Sequence, residues 1–322
     1  ETGSLGRQLA LELAEQGALP LRIVASLYVN QPSELGTALA RLDQLDHAFE
    51  HPFFDVNTLK LSLDGTVEAK TAVTLAPYVK PEGHVANPLL PDVDVINTVI
   101  TAAGEHRHLH LHAIGDGAVN TALNAVEAAR LAHPATQSRF TICHIEVVSP
   151  GDVPRFAALD VVAQTTPTWF EYDDIALEFL GPRRFERLYP LASIRRHGAR
   201  VTLGSDYPVT WIGVDALNPL FNIEMAVTRQ RAGDPDYPVQ SRISERLSID
   251  QAIRAHTVDA AWQLGLEDQV GTLEVGKFAD MVILERDPYL SPPHALHDIR
   301  VDRTFSSGRQ VFQRSRRPSL TP

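Results

Sequence analysis

The stretch His108-Leu-His-Leu-His-Ala-Ile-Gly-Asp-Gly-Ala-Val-Asn-Thr-Ala-Leu-Asn-Ala-Val-Glu-Ala-Ala-Arg-Leu131 changes its hydrophobic period partway along. Over His108–Ala113 apolar and polar residues alternate, as in a strand. Over Gly117–Leu131, residues Val119, Ala122, Leu123 and Val126 follow the i, i+3, i+4, i+7 rule for one buried helix face. A strand running directly into a helix is a βα unit. Further strand candidates are Leu21–Val29, Leu59–Leu63, Arg139–Ile145, Val161–Thr166 and Arg200–Gly204, with amphipathic stretches between them. This alternation predicts an α/β fold with helices packed around a parallel sheet.

Working outward, the chain's 322 residues carry 29 Lys+Arg against 40 Asp+Glu, a net charge of 29 − 40 = −11. That balance argues against a nucleic-acid binder, which needs a basic face, and against electrostatic attachment to anionic membranes. No apolar run approaches the roughly 18–20 residues that span a bilayer. The single cysteine, Cys143, cannot form an internal disulfide, so no oxidising compartment is implied and a cytoplasmic location is expected. Residue 1 is Glu with no leader-like run behind it, and Glu1–Gln16 reads as the middle of a helical segment. The natural polypeptide is therefore expected to begin upstream; a cleaved leader before a complete domain is the alternative.

Towards the C-terminus, Ile249–Leu264 reads as one helix. Ser248 and Gln251 make a capping box before it, and Gly265 is its C′ glycine. Beyond Gly265 the pattern changes. Gly271–Leu284 is a glycine turn followed by a β-branched strand, and Val301–Phe312 holds two short strands broken at Ser307-Gly308. The expected division is residues 1–265 as the α/β body and 266–322 as a small β domain with a polar tail.

Loops at the C-terminal ends of parallel strands open onto one face, where chemistry gathers. Four such ends carry ligand-type residues: Lys60, His112, His144 and Asp206, spaced by 52, 32 and 62 residues. Two imidazoles and a carboxylate there suit Zn²⁺ or another borderline divalent cation. His108, His110 and His112 share one strand face, but the first two lie deeper than the rim residue His112. Asp64, Gly115 and Asp116 have a plainer reading as turn and N-cap residues, and Cys143 as buried filler. Trp169, Tyr207 and Trp211 lie just past strand ends and either line an apolar substrate pocket or simply pack.

These residues carry a resemblance. His112-Ala-Ile-Gly-Asp-Gly-Ala118, Gly204-Ser-Asp-Tyr-Pro-Val209 and Gly271-Thr-Leu-Glu-Val-Gly-Lys-Phe-Ala-Asp280 resemble the amidohydrolase superfamily. The nearest branch is YtcJ-like, which includes N-substituted formamide deformylases; Leu59-Lys60, Asp64-Gly65, Pro167-Thr168-Trp169 and Ala226-Val-Thr-Arg229 resemble it too. The resemblance implies a (β/α)₈ TIM-like barrel beside a small β-sandwich, and metal-dependent hydrolysis of a C–N bond. It further implies that His112 and His144 stand at the fifth and sixth strands, Asp206 at the eighth, and Lys60 at the fourth, where a carboxylated lysine often bridges two metals. One or two ions are implied, with Asp206 as proton carrier and His144 or the metal stabilising the oxyanion.

The sequence also departs from that pattern. The first-strand histidine-x-histidine pair is absent, and only six of eight strands can be counted, which would leave two open edges. Cys143 stands where an acidic residue is expected. The leading expectation is an amidohydrolase lacking its first strands, acting on a small amide-like molecule, with a homo-oligomer compatible. The alternatives are a non-catalytic or partner-requiring chain, and a deaminase of a nucleobase-like ring. Convergence of Lys60, His112, His144 and Asp206 on one mouth is expected.

Overall fold

The structure is a computed structural model that describes residues 4–49, 51–209 and 212–315. All six predicted strands of the body are present: β1 (Ile23–Val29), β2 (Phe54–Ser62), β3 (His108–Ala113), β4 (Phe140–His144), β5 (Val161–Thr165) and β6 (Val201–Leu203). They form one parallel sheet in the order β1-β2-β3-β4-β5-β6. Each strand therefore pairs only with its neighbours in sequence. This is the wall of a TIM-like barrel; among the described residues it is an arc, with β1 and β6 as its edges.

Parallel pairing requires a crossover after each strand. Helix α1 (Ser4–Glu15) precedes β1; α2 (Pro32–Ala48), α3 (Asp92–Gly104), α4 (Asp116–Ala132) and α5 (Val153–Ala158) follow β1 to β4 in turn. Three short helices, α6 (Asp174–Leu180), α7 (Pro182–Phe185) and α8 (Leu191–Arg196), connect β5 to β6, and α9 (Pro219–Thr228) follows β6. The strand alternation explains the two faces. Leu109, Leu111 and Ala113 of β3 are buried, as are Val119, Ala122, Leu123 and Val126 of α4. His108, His110 and His112 occupy the other face, at half-buried positions.

The helix expected over 249–264 is two: α10 (Ile249–His256) and α11 (Val258–Gln263). Thr257 breaks them apart at φ −123°, ψ −92°, and its hydroxyl bonds back to the Ile253 carbonyl at 2.8 Å. Such back-bonding competes with the helical ladder and bends it. The capping box of Ser248 and Gln251 is formed, and Gly265 has the left-handed φ of +74°.

The tail makes an antiparallel sheet of β7 (Met281–Leu284), β8 (Val301–Ser306) and β9 (Arg309–Gln313). Ser307 and Gly308 both have positive φ (+50° and +75°), as a two-residue hairpin turn that follows strand twist requires. Arg22, just before β1, fastens this sheet to the body. Its guanidinium pairs with Asp280, bonds Ser307 Oγ at 2.7 Å, and lies over the Phe53 and Phe278 rings. No helix among the described residues is long and apolar enough to cross a membrane.

Candidate metal centre

Lys60 and His110 are register partners on β2 and β3, and His112 pairs with Cys143 on β4. Alternation would place Cys143 on the face of His112 and turn His144 to the helix side. The backbone changes that outcome. His144 has φ +72° and Ile145 φ +45°, a conformation in which a β-branched residue is a true outlier. The His144 ring consequently lies 4.3 Å from that of His112, centroid to centroid. Bonds from Thr165 Oγ1 to the His144 carbonyl (2.8 Å) and from Ile145 N–H to the Ala113 carbonyl (3.0 Å) hold the turn. Strain kept in place by surrounding bonds is characteristic of functional positions.

Both imidazoles are neutral at pH 7. Burial lowers His112 to about 4 and takes His144 well below its ordinary value, and the Lys60 charge pushes both the same way. A long hydrogen bond (3.4 Å) from His112 Nε2 to the Gly65 carbonyl leaves the lone pair on Nδ1. His144 is 5% exposed, and its buried Nδ1 has no hydrogen-bond partner. The Trp169 ring stacks on His144 at 5.3 Å and 10°, and its Nε1 reaches the Val209 carbonyl at 3.4 Å.

The remaining expected residues fall into place less evenly. Lys60 is half-buried on β2. Asp206, half-buried in the loop after β6, has φ +49°, and both it and Lys60 act electrostatically on the Cys143 thiol. Among the described residues, however, no group of three or more His, Cys, Asp or Glu is disposed to hold a metal ion. Asp206 thus does not complete a three-donor set with the two histidines. Tyr207 is 48% exposed and takes no part in lining the cleft beside them, whereas Trp169 does. Trp211 lies outside the described residues. Cys143 is buried, and burial pushes its thiol up to about 12, which suits filler rather than a nucleophile.

The loop acids have structural work. Asp64 accepts N–H bonds from Val73 (2.9 Å), Ile114 (3.0 Å) and Gly115 (2.9 Å). Burial raises its pKa to about 7 against the pull of those three donors. Gly115 is the N-cap of α4, as its turn reading expects, but Asp116 is not. Its carboxylate accepts from Leu75 N–H at 2.9 Å, strapping the 73–75 segment over the helix start.

One residue escaped the sequence reading. Glu146, two beyond His144, is 2% exposed and lines the cleft. Burial drives its carboxyl well above the ordinary range. The available signal was a lone acid within an otherwise apolar run from Ile145 to Val148.

A model of the amidohydrolase family matches residues 7–312. The chain belongs to the amidohydrolase family. It is 26% identical over 281 residues to the putative amidohydrolase YtcJ of Bacillus subtilis, covering 86% of this chain and 51% of that protein. It is 26% identical to the N-substituted formamide deformylase of Arthrobacter pascens, covering 72% of this chain and 41% of the relative. Among solved structures, an uncharacterized metal-dependent hydrolase from Pyrococcus furiosus superposes with a TM-score of 0.71 at 25% identity, covering 88% of this chain and 54% of that one. The chain thus spans about half the length, or less, of the curated relatives it matches.

Proposed function

We propose that this amidohydrolase chain carries part of a divalent-metal centre, Zn²⁺ or a similar ion, for hydrolysis of a C–N bond in a small amide, formamide or related molecule. The pair of neutral imidazoles at adjacent strand ends, one redirected by a left-handed backbone, carries the reading. The family, the deformylase relative and the metal-dependent solved relative support it. His112 and His144 are the proposed ligands, the unpartnered Nδ1 of His144 being a donor in want of an acceptor. Lys60 and Asp206 are proposed as further ligands that would join only as the ion binds, since without it Asp206 does not complete a three-donor set with them.

The fit is partial. Zinc takes four ligands in structural sites and three plus water in catalytic ones, and among the described residues two imidazoles stand together without a third such donor. When bound, the cation would supply Lewis acidity, activating water and polarising the carbonyl. Asp206 would take the attacking water's proton and return it to the leaving nitrogen. Trp169, stacked on His144, fixes the imidazole plane. The same shortage of donors favours a second reading, a chain that is non-catalytic without a partner.

Zinc added to the metal-free 322-residue chain, in competition with a chromophoric chelator, should bind as at most one ion at about micromolar Kd or weaker. That binding should vanish in His144→Ala. Two tightly held ions per chain would overturn the partial-site argument; no histidine-dependent binding would remove the metal reading. In zinc-loaded protein, Asp206→Asn should cut any amide turnover by about 10²–10⁴-fold, the usual contribution of a positioned proton carrier. Turnover near that of the parent would show Asp206 to be structural.

A further inference from the structure

Trp169 stands between the His112–His144 pair and a cleft of about 550 Å³. Its backbone forms a tight turn, Pro167–Trp169, directly after β5. N–H bonds from Trp169 to the Thr166 carbonyl (3.0 Å) and from Phe170 to the Pro167 carbonyl (2.8 Å) pin that turn. The ring is held as well. One face lies parallel to the His144 imidazole, and Nε1 reaches the Val209 carbonyl. His144 is not among the described lining residues, so the cleft meets the part of the indole that His144 leaves uncovered.

The rest of the apolar lining is Ile114, Tyr172, Ile175, Tyr189 and Val209. Phe185 braces the Tyr172 ring at 5.2 Å and Phe170 the Tyr189 ring at 4.6 Å. Ile175 and Val209 are 46% and 62% exposed, large apolar side chains left outside the core. The volume falls among those of sites for whole organic ligands, about 300–1,000 Å³, and a bare formamide would leave most of it empty. No lysine or arginine is among the described lining residues. Of the acids there, Glu171 is held by Arg231 (3.0 and 2.8 Å), and Asp173 caps α6 by accepting from Ala176 N–H (2.8 Å). These acids are not a site in themselves; their effect is that a carboxylate entering the cleft finds like charge and no counter-charge.

We propose that the cleft seats a flat, uncharged aromatic substituent of the substrate against the open part of the Trp169 ring, and turns away substrates that carry a carboxylate there. A fixed ring presents a stacking surface at no cost in side-chain freedom, and offset stacking favours a flat partner over a puckered one of equal size. Ile175 and Val209 cover the substituent's remaining apolar surface. The proposal rests on the hydrolytic reading in one respect: the substituent belongs to a molecule whose scissile amide lies by His112 and His144.

The test uses the metal-free 322-residue chain, so that it does not depend on zinc. Three acetamides are titrated by ligand-observed NMR: acetanilide, N-cyclohexylacetamide and 4-acetamidobenzoate. Acetanilide should bind about threefold tighter than the cyclohexyl analogue or more, the worth of one aromatic stack. Apolar burial alone predicts no such preference, because cyclohexyl is the more hydrophobic group. Acetanilide should also bind about tenfold tighter than the benzoate or more, from like-charge repulsion. In Trp169→Leu the ring preference should disappear while discrimination against the carboxylate persists. Equal affinity for ring and cyclohexyl, a ring preference that survives Trp169→Leu, or a benzoate that binds as well as acetanilide would each overturn the proposal. Should Trp169→Leu fail to fold by circular dichroism, the indole N–H resonance of Trp169 in the parent chain decides. It should shift as acetanilide is added, and an unmoved resonance overturns the proposal. Zinc binding at the histidines without a ring preference would discard the subsite and leave the hydrolytic reading standing. A ring preference in a chain whose histidines take no zinc would keep the aromatic seat and discard the hydrolytic reading.

Discussion

Gly115→Ala is expected to destabilise the protein by about 3 kcal/mol or more, through overpacking and lost capping bonds. The backbone at Gly115 (φ −78°, ψ 152°) is open to any residue, so conformational strain is not the cause. The space is. A Cβ there would stand well inside contact distance of the Val73 carbonyl, and 2.9 Å from the Val73 nitrogen. These are backbone atoms and cannot swing aside. The Val73 carbonyl also accepts the N–H groups of Gly117 (2.9 Å) and Ala118 (3.2 Å), two of the orphan donors that every helix start exposes. Moving Val73 therefore uncaps α4 and strains the Asp64 clamp. Gly36→Ala is the control, since its Cβ would meet nothing within 4 Å inside α2; it should gain about 0.5–1 kcal/mol. Urea unfolding of both variants checks this, and a Gly115→Ala midpoint equal to that of the parent would refute it.

Acidification should be nearly as damaging. Five imidazoles have folded-state pKa values lowered by burial: His108, His112 and His256 to about 4, His110 to about 3, and His144 well below its ordinary value. Each binds its proton more readily once unfolded, so stability is lost as pH falls below about 6.5 towards 4. Two carboxyls oppose this, because Asp64 and Glu146 are raised far enough to hold protons in the folded state, and burial pushes Asp173 the same way. Five against two leaves about three more protons on the unfolded chain near pH 5.5, a slope of about 4 kcal/mol per pH unit. Unfolding midpoints at pH 7, 6 and 5 in metal-free protein should fall steeply over the last step. A flat profile would mean the carboxyls cancel the imidazoles.

The strands were legible because each repeats a period: Leu109, Leu111 and Ala113 declare one face, and the next window declares a helix. The metal candidates were legible for a different reason, since His112 and His144 stand at the C-terminal ends of such strands. What periodicity could not carry was the twist at His144. Counting by twos sends its side chain to the helices, and only the left-handed backbone brings it back. Glu146 was hidden for the same reason: one acid in an apolar run has no period. The break at Thr257 was also beyond reach, because the pattern of apolar residues continues across it while the hydroxyl competes locally for the Ile253 carbonyl.

The sequential order of the sheet bears on how the molecule assembles. Every parallel pairing joins strands separated by 16 residues (145–160) at the shortest and 45 (63–107) at the longest. Loop-closure entropy grows only with the logarithm of length, so the sheet can zip from any unit outward through contacts of low order. The attachment of Arg22 to Asp280 is another matter, because it closes 258 positions at once. By the same logarithm it costs about 2 kcal/mol more entropy than a thirty-residue closure. The small sheet should then dock late in folding and let go early in unfolding, a hinged flap on a wall already built.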